Sequence, residues 1–62
     1  MTKRVRIENA DTGSYKVVVE VWDKYGDAPA VLVETHKLDY PTAMTPESLY
    51  ITSSRFLVVK EA

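Results

Sequence analysis

Apolar and polar residues alternate near the N-terminus of this chain, with the two-residue period of a half-buried β-strand. The alternating positions are Val5 and Ile7 against Arg4, Arg6 and Glu8. Residues 9–14 then gather turn-forming side chains, because Asn and Asp bond to nearby backbone and Gly tolerates positive φ. The pattern therefore predicts a first strand followed by a turn.

A second strand is predicted at residues 15–23, which are dense in β-branched and aromatic residues. Residues 24–29 contain Gly and Pro and end it. A third strand is predicted over residues 30–40. Its apolar residues stand at odd positions in the first half (Val31 and Val33) and at even positions in the second half (Leu38 and Tyr40). One extra residue within 34–37 would reconcile the two halves, which predicts a β-bulge there.

Residues 41–48 are predicted to form a loop, in which Pro46 allows a single helical turn at 45–47. Two last strands are expected around Leu49 and Ile51 and at residues 56–59, separated by a turn at 52–54. No segment keeps a helical period over three turns. The prediction is a single all-β domain over residues 1–62, built as a small antiparallel sandwich or a partly open barrel of four to five strands.

Length and charge exclude several classes of function. A chain of 62 residues has a marginal core and little framework for a deep catalytic cleft. Its formal net charge of −1 argues against a protein built mainly to neutralise phosphates. It contains no cysteine, and no apolar run has the length of a signal peptide or a membrane span. We expect a cytoplasmic protein, or a virion-associated one if the gene belongs to a phage, without membrane contact.

Candidate catalytic and metal-binding residues do not combine into a site. Asp11-Thr12-Gly13 matches the motif by which aspartic proteases hold one carboxylate, but the chain could supply the second carboxylate only by dimerising, and the triplet suits a turn. The segment from Asp23 to Asp27 lacks the spacing of a calcium loop, and His36 is the only histidine. The sequence predicts no enzyme activity, no catalytic or metal-binding residues, no cofactor and no small-molecule substrate.

Nucleic-acid binding is the alternative function that the sequence leaves open. Four basic residues lie on segments expected to pair, near aromatic residues that offer stacking surfaces. The basic residues are Lys3, Arg4, Arg6 and Lys16. Acidic residues in the same region dilute the positive field. A small nucleic-acid-binding β-barrel is therefore the second hypothesis.

The first hypothesis is a structural or protein-interaction module that binds a protein partner or a second copy of itself. Successive strand residues point to opposite faces, so the second and last strands are apolar on both faces. One face is left over once a single core is filled. The interface residues predicted on this surplus face are Val18, Trp22, Leu57 and Val59.

Four stretches together resemble small all-β proteins encoded in tailed phages and prophages, most of which have no assigned activity. The stretches are residues 15–23, 31–35, 46–51 and 55–61. The loop before the penultimate strand reads Pro46-Glu47, where the pattern of those proteins has Pro-Gly-Glu. The resemblance implies an all-β fold and a phage particle component, and it assigns no functional residues.

Overall fold

Five β-strands form two antiparallel sheets in the computed structural model, which describes residues 2–13 and 15–62. The strands are β1 (Lys3–Arg4), β2 (Val17–Asp23), β3 (Val31–Leu38), β4 (Tyr50–Ile51) and β5 (Arg55–Glu61). One sheet has the order β3-β2-β5 and the other pairs β1 with β4. The described residues contain no helix, so none that could cross a membrane. The predicted all-β class is confirmed, as a small, partly open sandwich and not a closed barrel.

The core lies against one face of the central strand β2. Val19 and Val21 are completely buried there, and Leu38 at the end of β3 is 2% exposed. Ala43 and Leu49, from the segment between β3 and β4, are also buried. This face of the three-stranded sheet, called the inner face below, is therefore covered by the segments that lead into and out of the small sheet.

The predicted first strand is regular over a shorter stretch than expected. Only Lys3 and Arg4 belong to β1, and beyond it Glu8 forms an isolated antiparallel bridge with Met44. The Val5 N–H donates to Leu49 O (3.0 Å), and the Ile7 N–H donates to the hydroxyl of Thr45 (3.0 Å). A side-chain oxygen thus takes the place of a ladder carbonyl, because the facing segment contains Pro46 and turns at that point. The predicted alternation is confirmed, since Val5 and Ile7 are half-buried between exposed neighbours.

Asn9 joins three segments of the chain although it was predicted only as a turn former. Its side-chain amide donates to Tyr15 O and Leu38 O (both 3.1 Å), and its oxygen accepts from the Asp11 N–H (3.2 Å). Its own N–H donates to Ala43 O (2.8 Å). Asn9 is only 3% exposed, and its bond to Leu38 O is buried, while the other two side-chain bonds are partly buried. The Tyr15 carbonyl is engaged by this amide, and the regular part of β2 begins two residues later than predicted.

The predicted bulge exists in β3, one position before the predicted range. Val21 pairs with Glu34 and Trp22 pairs with Leu32, which leaves Val33 as the extra residue. Because of this insertion, Leu32 faces the side of the sheet opposite to the inner face. If the same sequence formed a regular strand in which Val33 paired with Trp22, alternation would turn Leu32 toward the inner face.

The connections after β3 are turns. The Leu49 N–H donates to Pro46 O (3.2 Å), which closes a turn where a helical turn was allowed. Thr42 has a φ of 65°, and the Ala43 N–H donates to Tyr40 O (3.1 Å), so the chain reverses soon after Leu38. The turn predicted at residues 52–54 is confirmed and connects β4 directly to β5.

Candidate interaction surface

The face of the three-stranded sheet opposite to the inner face, called the outer face, carries three rows of side chains. β2 supplies the middle residue of each row, between β3 on one side and β5 on the other. The rows are Leu32, Trp22 and Phe56 at one end, Thr35, Glu20 and Val58 in the middle, and Lys37, Val18 and Lys60 at the other end. The outer face is thus apolar and aromatic at one end and basic at the other, about 13 Å away along β2.

The apolar row is a packed but exposed surface. The rings of Trp22 and Phe56 stack with centroids 6.5 Å apart and an interplanar angle of 9°. Phe56 remains 42% exposed and Leu32 44% exposed, while Trp22 is half-buried between them. The bulge at Val33 is what brings Leu32 opposite Trp22. A partner would therefore meet an ordered aromatic surface without having to rearrange it.

Glu20 connects the two ends of the outer face. Its carboxylate accepts a hydrogen bond from the Trp22 indole N–H (3.2 Å) and lies 3.1 Å from the Lys60 ammonium. The pKa of Glu20 is lower than its ordinary value, because Lys60 and then Trp22 donate hydrogen bonds to the charged form. The bond to the indole fixes the orientation of the Trp22 ring.

The structure divides the four predicted interface residues between two faces. Val18 and Trp22 lie on the outer face as expected. Leu57 pairs with Val21 and Val59 pairs with Val19, so both lie on the inner face, and the grouping of all four is wrong. Phe56 and Val58 are the β5 residues beside Trp22 and Glu20.

A signal for this register was present in the sequence. Asp23 pairs with Arg55, and opposite charges are favoured on directly facing strand residues. The Arg55 guanidinium donates to both carboxylate oxygens of Asp23 (2.7 and 2.9 Å) and lies 4.4 Å from the centre of the Tyr50 ring. Aligning Asp23 with Arg55 places Trp22 opposite Phe56. This charge pair also holds the pKa of Asp23 below its ordinary value and raises that of Arg55.

The basic residues of the nucleic-acid hypothesis are all exposed but do not form one surface. The expectation that their strands pair is wrong, because β1 pairs with β4, whereas β2 pairs with β3 and β5. Lys3 and Arg4 lie beside β4, whose Tyr50 contacts Arg55 at the start of β5. Lys16 bonds to Ala62 beyond the other end of β5. The two groups are therefore separated by about the length of β2, roughly 20 Å.

Arg6 extends the basic group at the β1 end. A depression of about 270 Å³ is lined by Arg4, Val5, Arg6 and Glu47. Its lining combines the acidic Glu47 with two arginines, so this depression is of mixed charge. It lacks the aromatic platforms on which single-stranded bases stack.

The other candidate residues lie apart from one another. Asp11 and Thr12 are exposed in the loop before β2, and Asp11 donates its N–H to the Asn9 side chain as in a turn. His36 lies 3.2 Å from the carboxylate of Glu34, its neighbour along β3. Within residues 2–13 and 15–62, no group of three or more potential metal ligands occurs.

Comparison of the chain with protein-family models, with curated proteins and with solved structures finds no match. The function is therefore inferred from the chemistry of the outer face.

Proposed function

We propose that this chain is a non-enzymatic protein-interaction module that binds its partner through the outer face. The observation that carries the proposal is the exposed row of Leu32, Trp22 and Phe56, fixed in place by ring stacking and by the bond from Trp22 to Glu20. Aromatic residues in ordered, partly exposed settings are enriched among the residues that dominate binding energy in protein interfaces.

The two ends of the face define the chemistry of the partner. Apolar side chains would cover Leu32 and Phe56, and an acidic group would meet Lys37, whose position on the sheet lies about 13 Å away. An apolar segment followed by carboxylates meets both requirements. The resemblance to phage-encoded proteins suggests a particle component as the setting, where many weak contacts add through repetition.

A peptide library selected on the immobilised protein tests this proposal. We expect enrichment of peptides that combine apolar and acidic residues. Leu32→Ser should weaken their binding about tenfold, which corresponds to about 1.4 kcal/mol of lost apolar contact. Val31→Ser is the matched control, because Val31 is the next residue, is more exposed and pairs with Asp23 on the other side of the sheet.

Lys37→Glu should weaken the same peptides and make their binding less sensitive to salt, because the ionic contact is screened. Selection of no peptides, or equal loss of binding in the Leu32 and Val31 variants, would show that the outer face is not the binding surface.

A further inference from the structure

The two edges of the three-stranded sheet differ in how well they are protected against pairing with another strand. β3, at one edge, is interrupted by the bulge at Val33 and carries Glu34 and Lys37 near its middle. Bulges and charges are the devices by which proteins block edge pairing. β5, at the other edge, pairs with β2 in unbroken register and has an uncharged centre, residues 57–59.

The hydrogen bonds between β5 and β2 determine which residues of β5 point their backbone N–H and C=O groups toward the free edge. The Lys24 N–H donates to Ser54 O (2.8 Å), and the Ala62 N–H donates to Lys16 O (3.1 Å). These bonds flank the pairs Asp23 with Arg55 and Val17 with Glu61, so neither pair is of the hydrogen-bonded type. Hydrogen-bonded and non-hydrogen-bonded pairs alternate along an antiparallel ladder. Leu57 and Val59 consequently turn their N–H and C=O groups away from β2.

These outward groups are open to a further strand over part of β5. At its start, Thr52 donates its N–H to Arg55 O (3.4 Å) and accepts the Arg55 N–H with its hydroxyl (3.0 Å). Beyond that point, the part of the chain that the structure describes contributes no group to the free edge. Val59 pairs with the completely buried Val19 and is nevertheless 53% exposed, because nothing covers it from the edge side.

We propose that β5 pairs antiparallel with β5 of a second copy of this chain. A two-fold axis perpendicular to the sheet would pass between the two Val58 residues. Leu57 of each copy then bonds to Val59 of the other through four backbone hydrogen bonds in all. Phe56 lies opposite Lys60 of the second copy, where a cation beside an aromatic ring is favourable. The product is a closed dimer with one six-stranded sheet.

The sequence of β5 selects this register over its neighbours. Centring the axis on Val59 would place Leu57 opposite Glu61 and Val58 opposite Lys60, so that apolar residues face charges. Centring it on Lys60 would bring two ammonium groups together, which is destabilising. Centring it on Leu57 would require the backbone groups of Arg55, which already bond to Thr52.

This inference goes beyond the proposed function. An axis perpendicular to the sheet places both outer faces on the same side of the dimer. A partner with two binding segments would then be held at two points, and the second contact would form at a raised effective concentration.

Val58→Cys tests the pairing in a chain that has no cysteine of its own. The two Val58 residues form a non-hydrogen-bonded pair, in which Cα atoms lie about 4.5 Å apart, within the range of a disulfide. We expect oxidised Val58→Cys to form a covalent dimer at least tenfold faster than Thr35→Cys. Thr35 is the matched control, because it pairs with Glu20 from the protected edge, as Val58 does from the free one. Equal rates for the two variants would overturn the proposal.

Sedimentation of the unmodified chain is the second measurement. We expect a concentration-dependent dimer whose dissociation constant rises at least tenfold in Val59→Lys, with the sheet signal in circular dichroism unchanged. A wild-type monomer at every concentration would overturn the pairing. Leu32→Ser separates the two proposals, because it should weaken peptide binding and leave both the dimer and the Val58→Cys disulfide intact.

Discussion

Replacing Asn9 with Ala should destabilise the fold more than any surface change in the same loop. The substitution removes two hydrogen bonds donated by the side-chain amide and one accepted by its oxygen. The backbone bonds of residue 9 to Thr42 and Ala43 remain. The Leu38 carbonyl and the Asp11 N–H each lose a partner at a site where Asn9 itself is only 3% exposed.

The loss is large compared with the stability of so small a protein. Three hydrogen bonds with a net value of about 0.5–1.5 kcal/mol each give a loss of about 1.5–4.5 kcal/mol. A chain of 62 residues has a free energy of unfolding of about 3–9 kcal/mol. Asn9→Ala should therefore remove between about a sixth and all of this free energy, because the loop before β2 is no longer tied to the end of β3.

Urea titration followed by Trp22 fluorescence measures this loss. With a slope of about 1 kcal/mol per molar urea, the midpoint should fall by about 1.5–4.5 M. Asp11→Ala is the control, since the Asp11 side chain is exposed and its N–H still bonds to Asn9, and it should change stability by less than about 0.5 kcal/mol. The assigned role of Asn9 is wrong if the two variants have the same midpoint.

Three further outcomes are expected. The pKa of the Asp23 carboxylate is lowered by Arg55, so this ion pair stabilises the fold above about pH 4. The stabilisation is lost as the pH falls through the pKa that Asp23 has in the folded state. Urea titrations in acid should therefore show a weaker pH dependence for Asp23→Asn than for the wild type. Oligonucleotides at physiological salt should bind no tighter than the non-specific range of about 10⁻⁴–10⁻⁶ M, and tighter binding lost with Arg4→Ala and Arg6→Ala would favour the nucleic-acid alternative. Asp11→Asn should retain the stability of the loop, because Asn suits the same turn, and acid-dependent peptide cleavage abolished by it would reveal a protease.

Local patterns predicted the strands and the bulge. The β-branched run that forms β2 needs no tertiary information, because its side chains favour a pleated backbone. The change of phase between Val31 and Leu38 required an extra residue in β3, although the pattern did not identify Val33 as that residue. A one-residue insertion anywhere between the two halves would have restored the phase equally well.

Pairings between distant segments were harder to predict. Asp23 and Arg55 are 32 positions apart, and a slip of one residue between β2 and β5 would turn both Leu57 and Val59 from the inner to the outer face. The partner of β1 was missed for a different reason. A hairpin with the next strand is the usual expectation, but the buried side chain of Asn9 anchors that connection to Leu38 and lets β1 pair with β4.

The bulge at Val33 separates the composition of the outer face from the regularity of the edge strand. Deleting this single residue would place Leu32 directly before Glu34 in the ladder, so Leu32 would still pair with Trp22 and Val31 would still pair with Asp23. The aromatic row would therefore stay on the outer face, while β3 would lose the irregularity that hinders pairing with a further strand. The gene could thus open a second edge of the sheet by losing one codon while every other amino acid stays the same.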